Sequence, residues 1–173
     1  MLTIARGLHP VLALLPPQCI SPRLVSSAAS VPMSASELSA LPRDVEGVHP
    51  PFANYSHGVR VPPNSTTLFL SGQLGITADK AVPEGAGAQA DIIFGAIKAL
   101  LAEASMSAAD IVRISAFVTD REYLAEYMAS RDRFLAAGPA AAAPPASTLM
   151  VVCGFSRPEF KVEVEIVAAK APA

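Results

Sequence analysis

The chain has 173 residues, a formal net charge of -2 and an apolar fraction of 51%. A chain of this length is expected to form one domain of ordinary size with a sizeable core. The weak net acidity and the lack of a long lysine and arginine run argue against a protein that binds nucleic acid through its phosphates. The one apolar stretch that approaches membrane-spanning length is interrupted by Pro10, Pro16 and Pro17. With only two cysteines, Cys19 and Cys153, neither a disulfide framework nor a metal site is expected.

The N-terminal segment, residues 1–44, differs in composition from the rest of the chain. It is rich in serine and proline and contains arginine, while its first acidic residue is Glu37. This composition is typical of an organellar transit peptide and predicts a mitochondrial protein. Two alternatives stay open: the chain starts at Met33 and is cytoplasmic, or VLALL is the core of a secretory signal. In each case we expect residues 1–44 to lie outside a domain that spans 45–173.

The rest of the chain alternates between strand and helix patterns. The segment TTLFLSG (66–72) is β-branched and aromatic and ends at a glycine, which predicts a strand. The segment AQADIIFGAIKALLAEASM (88–106) predicts a helix. The segment DIVRISAFVTD (110–120) alternates apolar and polar residues and predicts a second strand. The apolar stripe predicted for the helix consists of Ile93, Ala96, Ile97, Leu100 and Leu101.

A second helix and two further strands follow. The segment REYLAEYMASRDRFLAA (121–137) predicts a helix that ends at Gly138–Pro139. A strand is predicted at STLMVVCG (147–154), and the clearest strand of all at FKVEVEIVA (160–168), where apolar and charged residues alternate. Helices that lie on one side of such strands predict a two-layer α+β domain.

The candidate site residues are polar side chains at strand ends and in loops. Each also has an explanation as a turn residue or as part of a solvated strand face. A carboxylate beside a pocket wall has a further use, because it can hold a water molecule and act as a general base. The candidates are Tyr55, Ser56, Ser71, Gln73, Ser147, Thr148, Glu163 and Glu165.

Five segments occur in a telling order between residues 54 and 168: NYSHGVRV, LFLSGQLG, DIVRISAFVTD, PPAST and PEFKVEVEIVA. This set resembles the RidA/YjgF family of enamine and imine deaminases. The resemblance implies a chorismate-mutase-like α+β subunit, with a mixed β-sheet covered by two helices, that assembles as a homotrimer with pockets at the subunit interfaces. It also implies hydrolysis of 2-imino or 2-enamino acids to 2-keto acids and ammonia, with neither a metal nor an organic cofactor.

The resemblance also assigns roles to particular residues. It implies that Tyr55 lines the substrate pocket and that Ser71, Gly72 and Gln73 form a turn at its floor. It implies that Glu163 holds the hydrolytic water. This role suits the chemistry, since imine hydrolysis needs a water brought within attack distance and a proton moved.

The segment GPAAAAPPASTLMVV (138–152) departs from the family pattern. Deaminating members carry an arginine after Pro-Ala that binds the substrate carboxylate, whereas here Pro-Ala is followed by Ser147 and Thr148. A hydroxyl group supplies at most a neutral hydrogen bond where arginine supplies a bidentate clamp. The loss is expected to cost on the order of 2–4 kcal/mol in binding. Arg157, in the turn before the last strand, and Arg131, on the second helix, are the candidates for replacing it.

These observations lead to one hypothesis and two alternatives. The hypothesis is an imine or enamine deaminase with a small-molecule substrate whose choice is altered by the missing arginine. The first alternative is a non-catalytic, trimeric protein of the same fold that binds small molecules or protects proteins. A ribonuclease fits poorly, because the sequence has no basic track and no histidine pair for acid–base cleavage. The position of Glu163 distinguishes the deaminase from the non-catalytic protein. A Glu163 side chain in a pocket favours catalysis, and one in a surface ion pair favours binding alone.

Overall fold

The computed structural model describes residues 37–136 and 143–172. Most of the predicted N-terminal extension and the predicted helix end at Gly138–Pro139 lie outside these residues. The elements follow in the order β1 (Ser39–Ala40), β2 (Val59–Arg60), β3 (Thr66–Leu74), α1 (Ala86–Glu103), β4 (Ile111–Val118), α2 (Leu124–Ala136), β5 (Ala146–Val151) and β6 (Val162–Lys170).

Strands β3, β6, β4 and β5 form one mixed sheet in that spatial order. The pairs β3–β6 and β6–β4 are antiparallel, and β4–β5 is parallel. Helices α1 and α2 pack against each other and form a second layer on one face of the sheet. The other face, which we call the open face, has no helix of the described chain on it. The predicted two-layer α+β fold is confirmed. No helix within residues 37–136 and 143–172 is long and apolar enough to cross a membrane.

The core lies between the sheet and the helices and follows from alternation along the strands. On β6, Val162, Val164 and Ile166 are at most 2% exposed, as the sequence predicts. They lie opposite residues of β4 that are equally buried, Ile114 among them. Full burial of each such side chain contributes about 1.5–3 kcal/mol. The intervening residues of β6 therefore point to the open face.

Helix α1 buries a stripe that is shifted from the one the sequence predicts, since it includes Phe94 and leaves out Leu100. Ile93, Ile97 and Leu101 recur at four-residue steps and are completely buried. Leu100, which was expected in the same stripe, is 39% exposed. A stripe that follows four-residue steps rotates slowly around the helix, so Leu100 lies at its margin rather than over the sheet.

The folded part of the chain begins before the predicted boundary at residue 45. Ser39–Ala40 pairs antiparallel with Val59–Arg60, and the Leu41 amide donates to the Gly58 carbonyl at 2.9 Å. Arg43 then donates to the Pro51 carbonyl at 2.8 Å. The boundary predicted from composition is therefore several residues too far along the chain, because serine and proline content gives no warning of such a short strand.

A buried amide side chain fixes the entry to β6. Gln89 of α1 is completely buried, and its Nε2 donates to the carbonyls of Pro83 at 2.7 Å and Glu159 at 2.9 Å. Its Oε1 accepts from the Lys161 amide at 2.8 Å. Since buried polar groups need partners, these bonds lock the start of β6 against α1. They thereby set the position of the glutamate that follows.

Candidate functional site

The Ser71–Gly72 pair lies in an irregularity of the β3–β6 ladder. The register shifts between Leu70 and Gln73, so two residues of β3 lie in a bulge. The Gln73 Nε2 atom turns back and donates to the Ser71 carbonyl at 3.0 Å. The sequence predicts that the strand ends at Gly72 in a turn, whereas the strand continues to Leu74 and Ser71–Gly72 form a bulge within it.

Glu163 lies directly against the bulge. A β-carbon built on Gly72 would lie 2.7 Å from Glu163 Cδ and closer still to its Oε1 atom. Glycine at this position lets the carboxylate lie where it does, and any side chain here would force the carboxylate to shift. Glu163 is half-buried on the open face, opposite Phe117 of β4. The structure thus brings Ser71, Gly72 and Glu163 together.

Glu163 takes no part in an ion pair within the described chain. The ion pairs found there are Arg131–Asp132, Arg133–Asp91 and Arg157–Glu159. The Glu163 carboxylate lies against the backbone of β3 on the open face. Because it has no ion-pair partner within the described chain, it stays available to a water molecule or a ligand.

Tyr55 lies at the opposite end of the sheet. Its ring packs edge-on against Phe52 at 5.7 Å and His57 at 6.4 Å between ring centroids. The next residue, Ser56, bridges to Ala146 at the start of β5. Glu163, by contrast, is level with the far end of β5. Within one chain, Tyr55 and Glu163 therefore do not lie in the same site.

Ser147 and Thr148 of β5 point to different faces of the sheet. Ser147 is level with the completely buried Ile114, on the helix-covered side, and Thr148 is level with Ser115 on the open face. Successive strand residues alternate in this way. The two hydroxyl groups therefore do not line one pocket wall.

The sequence analysis did not single out Arg113, which lies on the open face. Its Nη2 donates to Thr148 Oγ1 at 3.2 Å, and its Nε lies 3.4 Å from Ser115 Oγ. The signal was present: a cation in the middle of a strand that pairs on both sides is unusual. The sequence pattern alone does not show that Arg113 and Thr148 lie side by side, because they are on different strands.

The two arginines proposed from sequence both have carboxylate partners close in sequence. Arg131 is 3% exposed, and its Nε and Nη2 donate to Asp132 at 3.0 and 2.8 Å. Arg157 donates to Glu159 and stacks 5.0 Å from the Phe160 ring. The pKa of Glu159 is lowered by a hydrogen bond from the Glu159 backbone and by the Arg157 guanidinium. Neither arginine is seen in contact with Ser147 or Glu163.

Cavities flank the sheet and the helices of the described chain. One of about 570 Å³ is lined by residues of α1 and α2, including the stacked Phe94 and Phe134 rings, and by none of the predicted site residues. Another, about 270 Å³, lies on the open face beside Ser71, Arg113 and Glu165, and Glu163 is not among its lining residues. The cavity on the open face is the candidate site, since function needs convergent polar groups more than volume. Residues 37–136 and 143–172 contain no trio of His, Cys, Asp or Glu arranged as metal ligands.

The sequence of the chain is similar to those of known proteins. The family model described as Endoribonuclease L-PSP matches residues 47–170. Protein HMF1 of Saccharomyces cerevisiae is 38% identical over 77 residues, which cover 43% of this chain and 57% of that protein. The chain thus matches little more than half the length of this relative.

Two solved structures share the fold. The Rid-family protein YyfB from Yersinia pestis has a TM-score of 0.65 at 24% identity, covering 77% of this chain and 98% of that chain. RidA from the Antarctic bacterium Psychrobacter sp. PAMC 21119 has a TM-score of 0.53 at 28% identity, covering 68% and 89%. The family match over residues 47–170 establishes that the chain belongs to the RidA/YjgF family, whose model is described as Endoribonuclease L-PSP.

Proposed function

We propose that the protein hydrolyses a reactive imine or enamine of the 2-imino acid type to a carbonyl compound and ammonia. The observation that carries this proposal is the placement of the Glu163 carboxylate over Gly72, where a side chain would displace it. A carboxylate held against backbone, outside any ion pair of the described chain, is suited to hold and deprotonate one water molecule.

The proposed reaction needs one carboxylate and one water. Glu163 takes a proton from the water as the water oxygen bonds to the imine carbon, and the electron pair of the C=N bond moves to nitrogen. Glu163 passes this proton to the nitrogen, which gives the carbinolamine. The carbinolamine then gives its hydroxyl proton to Glu163, which passes it to the nitrogen as the C–N bond breaks and ammonia leaves. In balance, an imine and water become a ketone and ammonia, with no oxidation or reduction.

Substrate choice in this proposal differs from that of members with an arginine after Pro-Ala. Ser147 stands at that position and is level with Ile114 on the helix-covered face. A neutral hydroxyl cannot replace the bidentate contact of a guanidinium with a carboxylate.

We also propose that the active assembly is a homotrimer. Tyr55 and Glu163 lie at opposite ends of the sheet, so a complete site would take Tyr55 from one subunit and Glu163 from the next. Phe69 and Met150, on the two edge strands of the open face, are 75% and 45% exposed, so both are available to pack against another copy of the chain. Burial against a second copy would stabilise both.

A binding protein without catalysis is the main alternative. It shares the fold and the trimer and differs only in whether Glu163 acts on a bound molecule. RNA cleavage, which the family description names, is not favoured by the open face. Glu163 and Glu165 there outnumber Arg113, and two carboxylates would repel a phosphate backbone.

The test is the hydrolysis of 2-iminobutanoate, generated in situ from 2-aminobutanoate by an amino-acid oxidase, with the full chain. The decay of the imine is compared with its spontaneous decay in buffer and with the Glu163→Gln variant. We expect the native chain to accelerate the decay and Glu163→Gln to lose about 100-fold or more of that acceleration. A folded native chain that gives no acceleration would favour the binding protein.

We further propose that the part of residues 1–44 that precedes β1 directs the protein to mitochondria. The absence of acidic residues before Glu37, with arginine and serine present, supports this assignment. A fluorescent protein fused behind residues 1–44 is expected to enter mitochondria. A fusion that stays in the cytoplasm would favour translation from Met33.

A further inference from the structure

The cavity on the open face has one cationic and one anionic wall. It is lined by Phe69, Leu70, Ser71, Arg113, Ser115, Glu165, Ile166 and Val167 and has a volume of about 270 Å³. This volume lies below the range of sites that hold drug-sized ligands, so it suits a molecule of a few heavy atoms. A cavity with both charges suits a ligand that also carries both.

Arg113 forms the cationic wall. Its guanidinium contacts the hydroxyl groups of Thr148 and Ser115, at 3.2 and 3.4 Å. Within the described chain no carboxylate lies at ion-pair distance from Arg113, in contrast to Arg131 and Arg157. Its guanidinium therefore keeps donors for a carboxylate ligand, which it is built to grip in a bidentate manner.

Glu165 forms the anionic wall on the neighbouring strand. It lies opposite Ser115, while Arg113 lies opposite Val167 two residues away on β6. Arg113 and Glu165 are thus diagonal neighbours on one face, a placement that puts side chains roughly 7–8 Å apart at their base. They form no direct ion pair, and the cavity extends between them.

We propose that Arg113 and Glu165 bind the two charged ends of a small zwitterion, an α-imino or α-amino acid. Arg113 receives the carboxylate, and Glu165 faces the protonated nitrogen. Arg113 would thereby supply from β4 the charge that Ser147 on β5 does not. For its substrate the assignment rests on the proposed function, but the binding site itself does not, because a stable amino acid tests it without any reaction.

The experiment measures the binding of three small ligands to the full chain by titration calorimetry or ligand-observed NMR. The ligands are 2-aminobutanoate, which carries both charges, 2-oxobutanoate, which carries only the carboxylate, and 2-aminobutanamide, which carries only the ammonium. We expect 2-aminobutanoate to bind the native chain most tightly. Arg113→Met is expected to weaken both carboxylates about 10- to 100-fold and to leave the amide unchanged.

Three variants complete the design. Glu165→Gln is expected to weaken 2-aminobutanoate and the amide but not 2-oxobutanoate, and this keeps the test decisive if Arg113→Met does not fold. Arg113→Lys keeps the positive charge but lacks the paired N–H donors of the guanidinium, so it should bind carboxylates with intermediate affinity. Arg121→Met, on an exposed turn, removes an arginine elsewhere and should change nothing.

Two results would overturn the assignment. One is an affinity for carboxylates that is the same in the native chain, Arg113→Met and Arg121→Met. The other is a change of oligomeric state in both Arg113→Met and Glu165→Gln with unaltered ligand preference, which would mean that the two residues pair between copies. A native chain that discriminates the ligands as expected but hydrolyses no imine would refute the proposed function and leave this site standing.

Discussion

The two faces of the four-stranded sheet are built from the same strands and have opposite character. On the helix-covered face, Val164 and Ile166 are at most 2% exposed. On the open face, Glu163 and Glu165 of the same strand lie among polar and partly exposed groups. Alternation along one strand thus places one set of residues in the core and the interleaved set on the open face, where we propose that binding and chemistry occur. Substitutions at neighbouring positions should therefore have different consequences.

The largest effect on stability is expected on the covered face. Ile166→Ala removes a buried side chain and leaves a cavity, which should lower the free energy of unfolding by about 2–5 kcal/mol. Its neighbour Glu165→Gln, exposed on the open face, should change that free energy by less than about 0.5 kcal/mol. Urea denaturation of both variants measures the difference, and equal losses would break the distinction between the faces.

A smaller but functional effect is expected at the bulge. Gly72→Ala places a methyl group where the Glu163 carboxylate lies, so the carboxylate must move. We expect imine hydrolysis to fall about 10- to 100-fold, because a carboxylate displaced by about 1 Å no longer aligns the water. The control is Gly95→Ala on α1, where an added methyl meets nothing within 4 Å. If both variants kept the native rate, the contact between Gly72 and Glu163 would have no functional meaning.

The third prediction tests whether the covered face supports the open one. Gln89→Leu leaves the carbonyls of Pro83 and Glu159 and the amide of Lys161 without their side-chain partner. The free energy of unfolding should drop by about 1–3 kcal/mol, since unpaired buried polar groups are costly. Gln73→Leu, whose amide contacts only its own turn, should cost less. Thermal unfolding of the two variants provides the comparison, and an equal shift would contradict it.

The smallest predicted effect depends on pH and concerns the helix layer. A hydrogen bond from the Ser130 hydroxyl lowers the pKa of Asp91, and Arg133 lowers it further. A depressed pKa stabilises the fold above the ordinary pKa of about 3.9, and this stabilisation disappears as pH falls through the folded-state value. Since Asp91 is largely exposed, Asp91→Asn should cost less than about 1 kcal/mol near pH 6.

Melting temperatures of native chain and Asp91→Asn between pH 2.5 and 7 check this prediction. The difference between them should be largest above about pH 5 and should shrink toward the acid end. A difference that is constant across the range would show that the carboxylate contributes through packing rather than charge.

Alternation and helical spacing predicted most of the fold. The period of two in FKVEVEIVA predicted which residues of β6 are buried, because one face of the sheet is covered by helices and the other is not. The strand Ser39–Ala40 was missed because two residues are too few to show a period. The margin of the α1 stripe was also missed, since spacing alone does not fix how a helix rotates on a sheet.

The site was only partly predictable, for reasons of geometry. The nearness of Gly72 and Glu163 could be expected from the family resemblance, but the bulge that creates it depends on strand register. Arg113 is recognisable in the sequence as a cation within a strand, but its contact with Thr148 is not, because that contact joins residues 35 positions apart on two strands. The sequence pattern indicates on which face of the sheet a residue lies. It does not indicate which residue of the neighbouring strand lies beside it.

The most direct test of this account compares Glu163→Gln with Val164→Ala, adjacent residues on opposite faces. For each, the hydrolysis of 2-iminobutanoate and the melting temperature are measured on the full chain. Glu163→Gln should lose the acceleration while keeping its melting temperature. Val164→Ala should lower the melting temperature while keeping the rate per folded molecule. A Glu163→Gln variant that hydrolyses the imine as fast as the native chain would contradict the account.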